Sequence, residues 1–362
     1  MSRQTALHGE HVRANAVFGG EGGWEIPVRF GPARAEYERA VGQAVRIDLG
    51  HHGRVEVKGK EAASFLQNLC TNDIKGLGAG AGCEAFLCTN KAKVVAHVHV
   101  CRLPVEEPTF RLDAVAGQNE KILAHLDHYL ISEQVELADI TADWTQILVA
   151  GPEAAARAAS LLGVKAPLPA WTMQPLENAN AFLRWRDDLS VPALDIWTPV
   201  DRAGETWQRF GAAGVFPAGT EAFEALRLEA GTPRYGVDID EQRFVVEVNR
   251  AAQAISYAKG CYLGQEPIVM ARDRGQVNRL LLGLVAAGTE PFAGGAQVFR
   301  EETEVGQVTS SAFSPRLDRT VALAYLRRGA WEPGMSVAVA TPAGVREATV
   351  TSTPFIPPQS RS

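Results

Sequence analysis

The sequence predicts an α+β protein, two sheet-and-helix modules followed by a small all-β barrel. Three observations carry that reading. Between residues 44 and 231, short runs that are apolar at every second position alternate with longer runs that are apolar every three or four, the periods of strands and helices. The strand-then-helix arrangement begins twice, near residue 44 and near residue 145. Beyond residue 279 the helical period stops, and brief strand-like runs are divided by Gly and Pro turns, as in a small barrel.

The first 35 residues are polar and include Gly19-Gly20-Glu21-Gly22-Gly23, which predicts a loosely ordered arm over 1–35. Val45, Ile47 and Leu49, then Val55 and Val57, alternate on either side of His51-His52-Gly53, which reads as a strand pair joined by a turn. Residues 60–69 carry a helical stripe of Ala62, Phe65, Leu66 and Leu69 that Thr71-Asn72-Asp73 breaks. Strands over 84–88 and 94–102 and a helix over 118–130 complete a first module at 36–140. In the second, at 141–275, Ile147-Leu148-Val149 forms a strand and Gly151-Pro152 opens an alanine-rich helix to Leu162. Two strands over 181–198, a short helix over 204–211 and a helix over 222–231 stopped by glycine follow. The barrel takes 276–362, with strands over 280–285, 304–310, 321–325, 336–340 and 346–351.

With 46% hydrophobic and 22% charged residues the composition is that of a globular chain, and no apolar run is long enough to span a bilayer. The N-terminus has no basic segment followed by an apolar core, so no secretory signal is expected. Five unevenly spaced cysteines do not make a disulfide framework and fit a reducing compartment, which predicts a cytoplasmic location. A net charge of −6 gives no overall attraction for nucleic acid, so neither direct nucleic-acid binding nor a membrane partner is expected.

The densest chemistry lies in Lys259-Gly260-Cys261-Tyr262-Leu263-Gly264-Gln265-Glu266. A neighbouring cation or a helix N-terminus lowers a thiol's pKa, and Lys259 is a cation beside Cys261. The glycines allow a sharp turn and close approach, and Pro267 suits the first turn of a helix, which puts Gln265 and Glu266 at its start. Cys261 is thus the candidate reactive thiol and Lys259 its activator; a structural cysteine in a tight turn is the alternative. A second group, Cys83, Cys88, His97, His99 and Cys101, invites a metal. Residues on one strand face lie about 7 Å apart, however, and no Cys-x-x-Cys knuckle is present, so no metal is expected.

Several segments then resemble a known family. Asp48-Leu49-Gly50-His51-His52-Gly53-Arg54-Val55, Leu69-Cys70-Thr71-Asn72-Asp73, the run from Arg227 to Ile239 through Gly231, Tyr235 and Asp238, and Val305-Gly306-Gln307-Val308-Thr309-Ser310 with Ser314-Pro315 follow the order of the folate-binding aminomethyltransferase-like proteins over residues 40–350. The Lys-Gly-Cys-Tyr-x-Gly-Gln-Glu motif is similar to that of the YgfZ-type iron–sulfur cluster assembly proteins within that family, and is not the hallmark of the glycine cleavage T-protein.

The resemblance implies two ferredoxin-like, aminomethyltransferase-type modules around a central folate cavity, with Cys261 near it. It implies tetrahydrofolate as cofactor, with Asp195, Arg227, Tyr235, Gln265 and Glu266 as its binding residues. Asp195, in Ala193-Leu194-Asp195-Ile196, stands where the family has a glutamate that grips the pterin. In the T-protein an aspartate serves methylene transfer; the matching segment Asn90-Lys91-Ala92-Lys93-Val94-Val95-Ala96-His97-Val98 puts Ala96 or His97 there. The function implied is assistance to iron–sulfur cluster assembly or repair through Cys261, with iron–sulfur client enzymes or assembly proteins as partners. The alternative is an aminomethyltransferase with His97 in place of the aspartate. A folate-binding protein without chemistry, in which Cys261 braces its loop, is a third reading.

Overall fold

The computed structural model describes residues 2–164, 168–176, 180–275 and 277–357. The chain is mixed α+β and ends in a closed six-stranded barrel. A five-stranded sheet has the order Gly82–Cys88, Val94–Arg102, Thr109–Ala114, Gly53–Lys58, Glu136–Asp139. A six-stranded sheet has the order Met173–Leu176, Ala181–Arg186, Ala193–Pro199, Trp144–Ala150, Val45–Asp48, Phe216–Pro217.

Each sheet buries one face under helices. In strand Val94–Arg102, Ala96, Val98 and Val100 join Phe65, Leu66 and Leu69 of helix Ala62–Leu69 and Ile122 and Leu126 of helix Asn119–Tyr129 in one apolar core. In the larger sheet Ile147, Val149, Leu183, Trp185, Leu194 and Ile196 pack with Trp207 and Phe210 of helix Ala203–Ala212. Strand alternation sends the intervening residues to the opposite faces, which carry many polar side chains: Arg54, Glu84, His97, His99, Arg111 and Asp113 on one sheet, Arg184, Arg186 and Asp195 on the other. The two polar faces meet. Arg184 links them, its Nη2 donating to Asp113 Oδ2 at 2.6 Å and to Asp195 Oδ2 at 2.5 Å.

The expected strand pair does not form. Val45–Asp48 joins Trp144–Ala150 in the larger sheet, whereas Gly53–Lys58 enters the smaller one, so Leu49 to His52 carry the chain from one sheet to the other. Alternating apolar runs report that two strands exist, not which partners they take. Nor is the N-terminus a loose arm. Strands Arg3–Gln4, Trp24–Arg29 and Val17–Glu21 form a small sheet beside helix His8–Arg13. Thr5 Oγ1 and His11 Nε2 reach Asp48 Oδ2 at 2.6 and 2.8 Å, anchoring the segment to the buried end of Val45–Asp48.

The barrel runs Arg279–Ala286, Arg319–Arg327, Thr303–Ser314, Gln297–Arg300, Ser336–Thr341, Gly344–Thr351. Helix Thr220–Glu229 docks it: buried Glu229 accepts bonds from Tyr37, Ser190, Ser314 and Arg316. Asp238 similarly accepts from Arg227, Thr309 and Ser310.

Candidate functional site

Where the polar faces of the two sheets part, beside the crossing at Leu49 to His52, they leave a narrow cleft with about 680 Å³ of empty space, its mouth included. His51 and His52 come from the crossing, His97, His99 and Asp113 from the smaller sheet, Arg186 and Asp188 from the larger one, and Glu224, Arg227, Arg234 and Tyr235 from helix Thr220–Glu229 and the segment after it.

Hydrogen bonding in this cleft is incomplete. Buried His51 Nδ1 and His99 Nε2 have no partner. His52 Nδ1 and Asp113 Oδ1 stand 3.5 Å apart, as do Arg234 Nε and Glu224 Oε1, too far for well-made bonds. Buried polar atoms left this way are costly in the empty protein and suited to a polar guest. Charges are fixed around them. Burial works against ionised Asp113, but Arg184 and His52 hold its carboxyl well below the usual range. Burial pulls the His99 imidazole down to about 3, so it is neutral, and its ring stacks on Trp171 at 3.9 Å between centroids.

His97 is set differently. Its Nε2 lies 2.8 Å from Glu84 Oε1, which also accepts from Arg250 Nε at 2.8 Å, and Arg250 Nη2 takes the second oxygen. Arg250 and His97 keep the Glu84 carboxyl far below its ordinary range against the pull of burial. An ionised carboxylate only accepts, so Nε2 is the donor. Neutral His97 therefore has its lone pair on Nδ1, a proton acceptor on a ring that lines the cleft. Ligand atoms of Glu84, His97 and His99 fall within 4.8 Å of one another. Arg250 engages both oxygens of Glu84, so Arg250, Glu84 and His97 form a bonded chain of which His99 is not a part.

The structure brings two of the expected folate residues into the cleft. Arg227 lines it with its guanidinium held by Glu224, Asp238 and the Thr232 carbonyl, and Tyr235 lines it with its hydroxyl accepting from Lys121 Nζ at 2.6 Å. Asp195 is not among the lining residues: it is fully buried between Arg184 and Arg186, which engage both its oxygens. Gln265 and Glu266 begin helix Gln265–Arg274, which packs through Ile268 with Phe86, Cys88 and Val94, and neither residue lines the cleft. Cys261 does not line the cleft either. Leu263 packs on the helix-covered core, and Cys261 borders a surface depression with Phe65, Asn68, Leu69, Tyr129, Glu133 and Tyr262.

Lys259 does not stand free beside the thiol. It is buried, and its Nζ donates to the carbonyls of Gln67, Cys70 and Asn72 at 2.6, 2.6 and 2.8 Å, stapling the loop to the end of helix Ala62–Leu69. Burial pulls its ammonium down to about 8. Of the five free cysteines, only Cys261 is exposed. Gly264 has a φ of +79°, and a Cβ there would come within 2.6 Å of the Thr89 carbonyl, whereas a Cβ on Gly260 would meet nothing within 4 Å.

Sequence reasoning read His51 and His52 as a turn and passed over Asp113, Arg186, Asp188, Glu224 and Arg234. Charged residues at alternate positions inside apolar strands, as in Arg111-Leu112-Asp113 and Arg184-Trp185-Arg186, were the available signal.

Comparisons with known proteins agree with this architecture. Residues 7–254 match the GCVT N-terminal domain and residues 279–356 the glycine cleavage T-protein C-terminal barrel domain. The aminomethyltransferase of Rubrobacter xylanophilus is 29% identical over 331 residues, 90% of this chain and 87% of that protein. The aminomethyltransferase of Corynebacterium jeikeium is 28% identical over 365 residues, 94% of this chain and 93% of that one. The crystal structure of the glycine cleavage system aminomethyltransferase T from Bartonella henselae superposes with a TM-score of 0.91 over 98% of both chains at 24% identity, which establishes a shared fold. Among the described residues no helix is long and apolar enough to cross a membrane.

Proposed function

The chain belongs to the GCVT family, with both the N-terminal domain and the C-terminal barrel domain, and from that premise we propose that it binds tetrahydrofolate in the central cleft and acts on its one-carbon unit, as the aminomethyltransferase names of its relatives suggest. The observation that carries this reading is the set of buried, under-bonded polar atoms, His51 Nδ1, His99 Nε2, Asp113 Oδ1 and Glu224 Oε1, gathered on one cleft. A pterin edge offers paired N–H donors that a fixed carboxylate such as Asp113 can accept, together with ring nitrogens and a carbonyl that histidine and arginine can meet. The folate supplies the nitrogens that carry the one-carbon unit. The chain supplies orientation from Arg186, Arg227 and Tyr235, and at His97 Nδ1 a proton acceptor, in the segment where Ala96 or His97 stands in place of a T-protein's aspartate.

Calorimetric titration with tetrahydrofolate tests the binding, and His99→Phe, which keeps a ring against Trp171 but removes the nitrogens, should weaken it about tenfold, the loss of one buried hydrogen bond. A purified assay with an aminomethyl-lipoyl carrier tests the transfer, which should require His97. Absence of any tetrahydrofolate binding overturns the reading.

One observation favours a second reading. The Lys259 to Glu266 motif resembles that of the YgfZ-type branch, and Cys261 is the one exposed thiol, set in an apolar depression that shares no residue with the cleft. On this reading the folate-bound protein serves iron–sulfur enzymes in the cytoplasm through Cys261. Iron–sulfur enzyme activities in cells carrying only Cys261→Ala decide it: loss supports the reading, and full activity removes it.

A further inference from the structure

On the outer wall of the barrel, three arginines converge without enough acid to neutralise them. Arg279 and Arg327 are directly opposite each other on antiparallel strands, a like-charge pairing that costs stability, and neither has an ion-pair partner among the described residues. Arg243 comes in from the segment before the barrel, its guanidinium 4.0 Å from the centre of the Tyr325 ring. Its Nε is buried with no bonded partner, Asp240 being 3.6 Å away. With Glu304, Gly306, Gln307 and Tyr325 these arginines enclose a pocket with about 380 Å³ of empty space, which shares no residue with the folate-sized cleft.

A second feature points to a ligand. Tyr325 is 3% exposed, and its hydroxyl is buried with no partner. Burial raises its pKa, so the hydroxyl stays protonated and can donate. Of the other polar groups, Gln307 Nε2 donates to the Gly295 carbonyl at 3.0 Å and Glu304 Oε2 accepts from Gln297 at 2.9 Å, which leaves one lining carboxylate against three arginines. Gly306 lets its strand lie close against Arg319–Arg327, because a Cβ there would lie 2.2 Å from the Tyr325 carbonyl.

We propose that this pocket binds a small oxyanion, a phosphate or carboxylate group, held by Arg243, Arg279 and Arg327 with the Tyr325 hydroxyl donating to it. Planar guanidiniums suit both chemistries. An anion would relieve the Arg279–Arg327 repulsion and give two buried polar atoms their missing partner.

The full chain, with its arginine side chains labelled, is titrated with inorganic phosphate and separately with glutarate, at constant ionic strength maintained by chloride. The arginine Nε–Hε resonances are followed by NMR. A saturable shift is expected for at least one anion, and the one that saturates at the lower concentration identifies the source. Arg327→Gln should weaken it about tenfold or more, as expected for a lost charge-assisted bond. Tyr325→Phe should weaken it several-fold while leaving the melting temperature unchanged or higher, since the hydroxyl removed has no partner in the empty protein. Overturning results are a shift that tracks ionic strength without saturating, or unchanged saturation in Arg279→Gln/Arg327→Gln. A Tyr325→Phe variant that loses stability but binds anion normally also overturns the proposal, because it would make the hydroxyl structural.

Discussion

Replacing Glu84 by Gln tests the bonded chain beneath the cleft. Glu84 is 2% exposed, and its two oxygens accept three bonds, two from Arg250 and one from His97. Glutamine has one acceptor oxygen, so whichever way its amide is turned, an NH₂ faces a guanidinium or imidazole donor. Charge-assisted bonds are worth about 1.5–3 kcal/mol each, and breaking one side of a buried ion pair costs about 3–5 kcal/mol. The Arg250 side chain is 13% exposed and regains some hydration, so the lower end applies, about 3 kcal/mol. Urea denaturation at neutral pH reads this directly. Arg250→Met in the Glu84→Gln background removes the stranded cation, so the double variant should lose less than the two single variants added together, by about 2 kcal/mol. A loss below about 1 kcal/mol for Glu84→Gln, or strict additivity, would refute the argument. The pH dependence has a definite sign. Glu84's folded pKa is depressed, so its stabilisation is complete above the unfolded value of about 4.3 and drains away as pH falls below it.

Native-state titration with a thiol reagent should show one fast-reacting cysteine, absent in Cys261→Ala, because Cys70, Cys88 and Cys101 are buried, Cys83 is partly so, and burial pushes Cys70 and Cys88 up to about 12 and raises Cys83 as well. Gly264→Ala should cost more than about 2 kcal/mol in urea, combining left-handed strain with a clash on Thr89, while Gly260→Ala should stay within about 0.5 kcal/mol. Lys259→Met should free the loop from the helix end, seen as faster amide exchange at residues 259–264, while tetrahydrofolate affinity stays unchanged because the loop is not part of the cleft. Acid should loosen the N-terminal segment: Asp48, held below its usual pKa by His11, Thr5 and Gly50 against burial, loses its stabilising contribution as pH drops below about 3.9, and Asp48→Asn should remove that pH dependence.

Much of the architecture could be read from periodicity. The helical stripe of Ala62, Phe65, Leu66 and Leu69 and the Gly/Pro-divided strands of the barrel fixed those elements because burial itself imposes the spacing. Strand Gln297–Arg300 escaped notice because four residues give too few alternations to count. Pairing was not legible, since Val45–Asp48 and Gly53–Lys58 look like a hairpin locally and are separated only by the packing of whole sheets. At the site, the family-like segments pointed to Arg227 and Tyr235, which the cleft contains. Asp195 misled because a strand residue's face, and the arginines waiting on it, follow from register. Cys261 was read as reactive from its neighbours in sequence, but the staple between Lys259 and three carbonyls is a long-range feature that local spacing does not encode.

The passage of the chain from one sheet to the other at Leu49 to His52 interlocks the two halves. Cutting the polypeptide between residues 140 and 141 would not yield two self-sufficient pieces. The first fragment would carry Val45–Asp48 with no neighbouring strands, and the second would have a gap between Trp144–Ala150 and Phe216–Pro217. Reassembly of the fragments would have to thread that strand into its slot, bringing His51 and His52 with it to the cleft, so ligand binding would serve as a reporter of completed assembly.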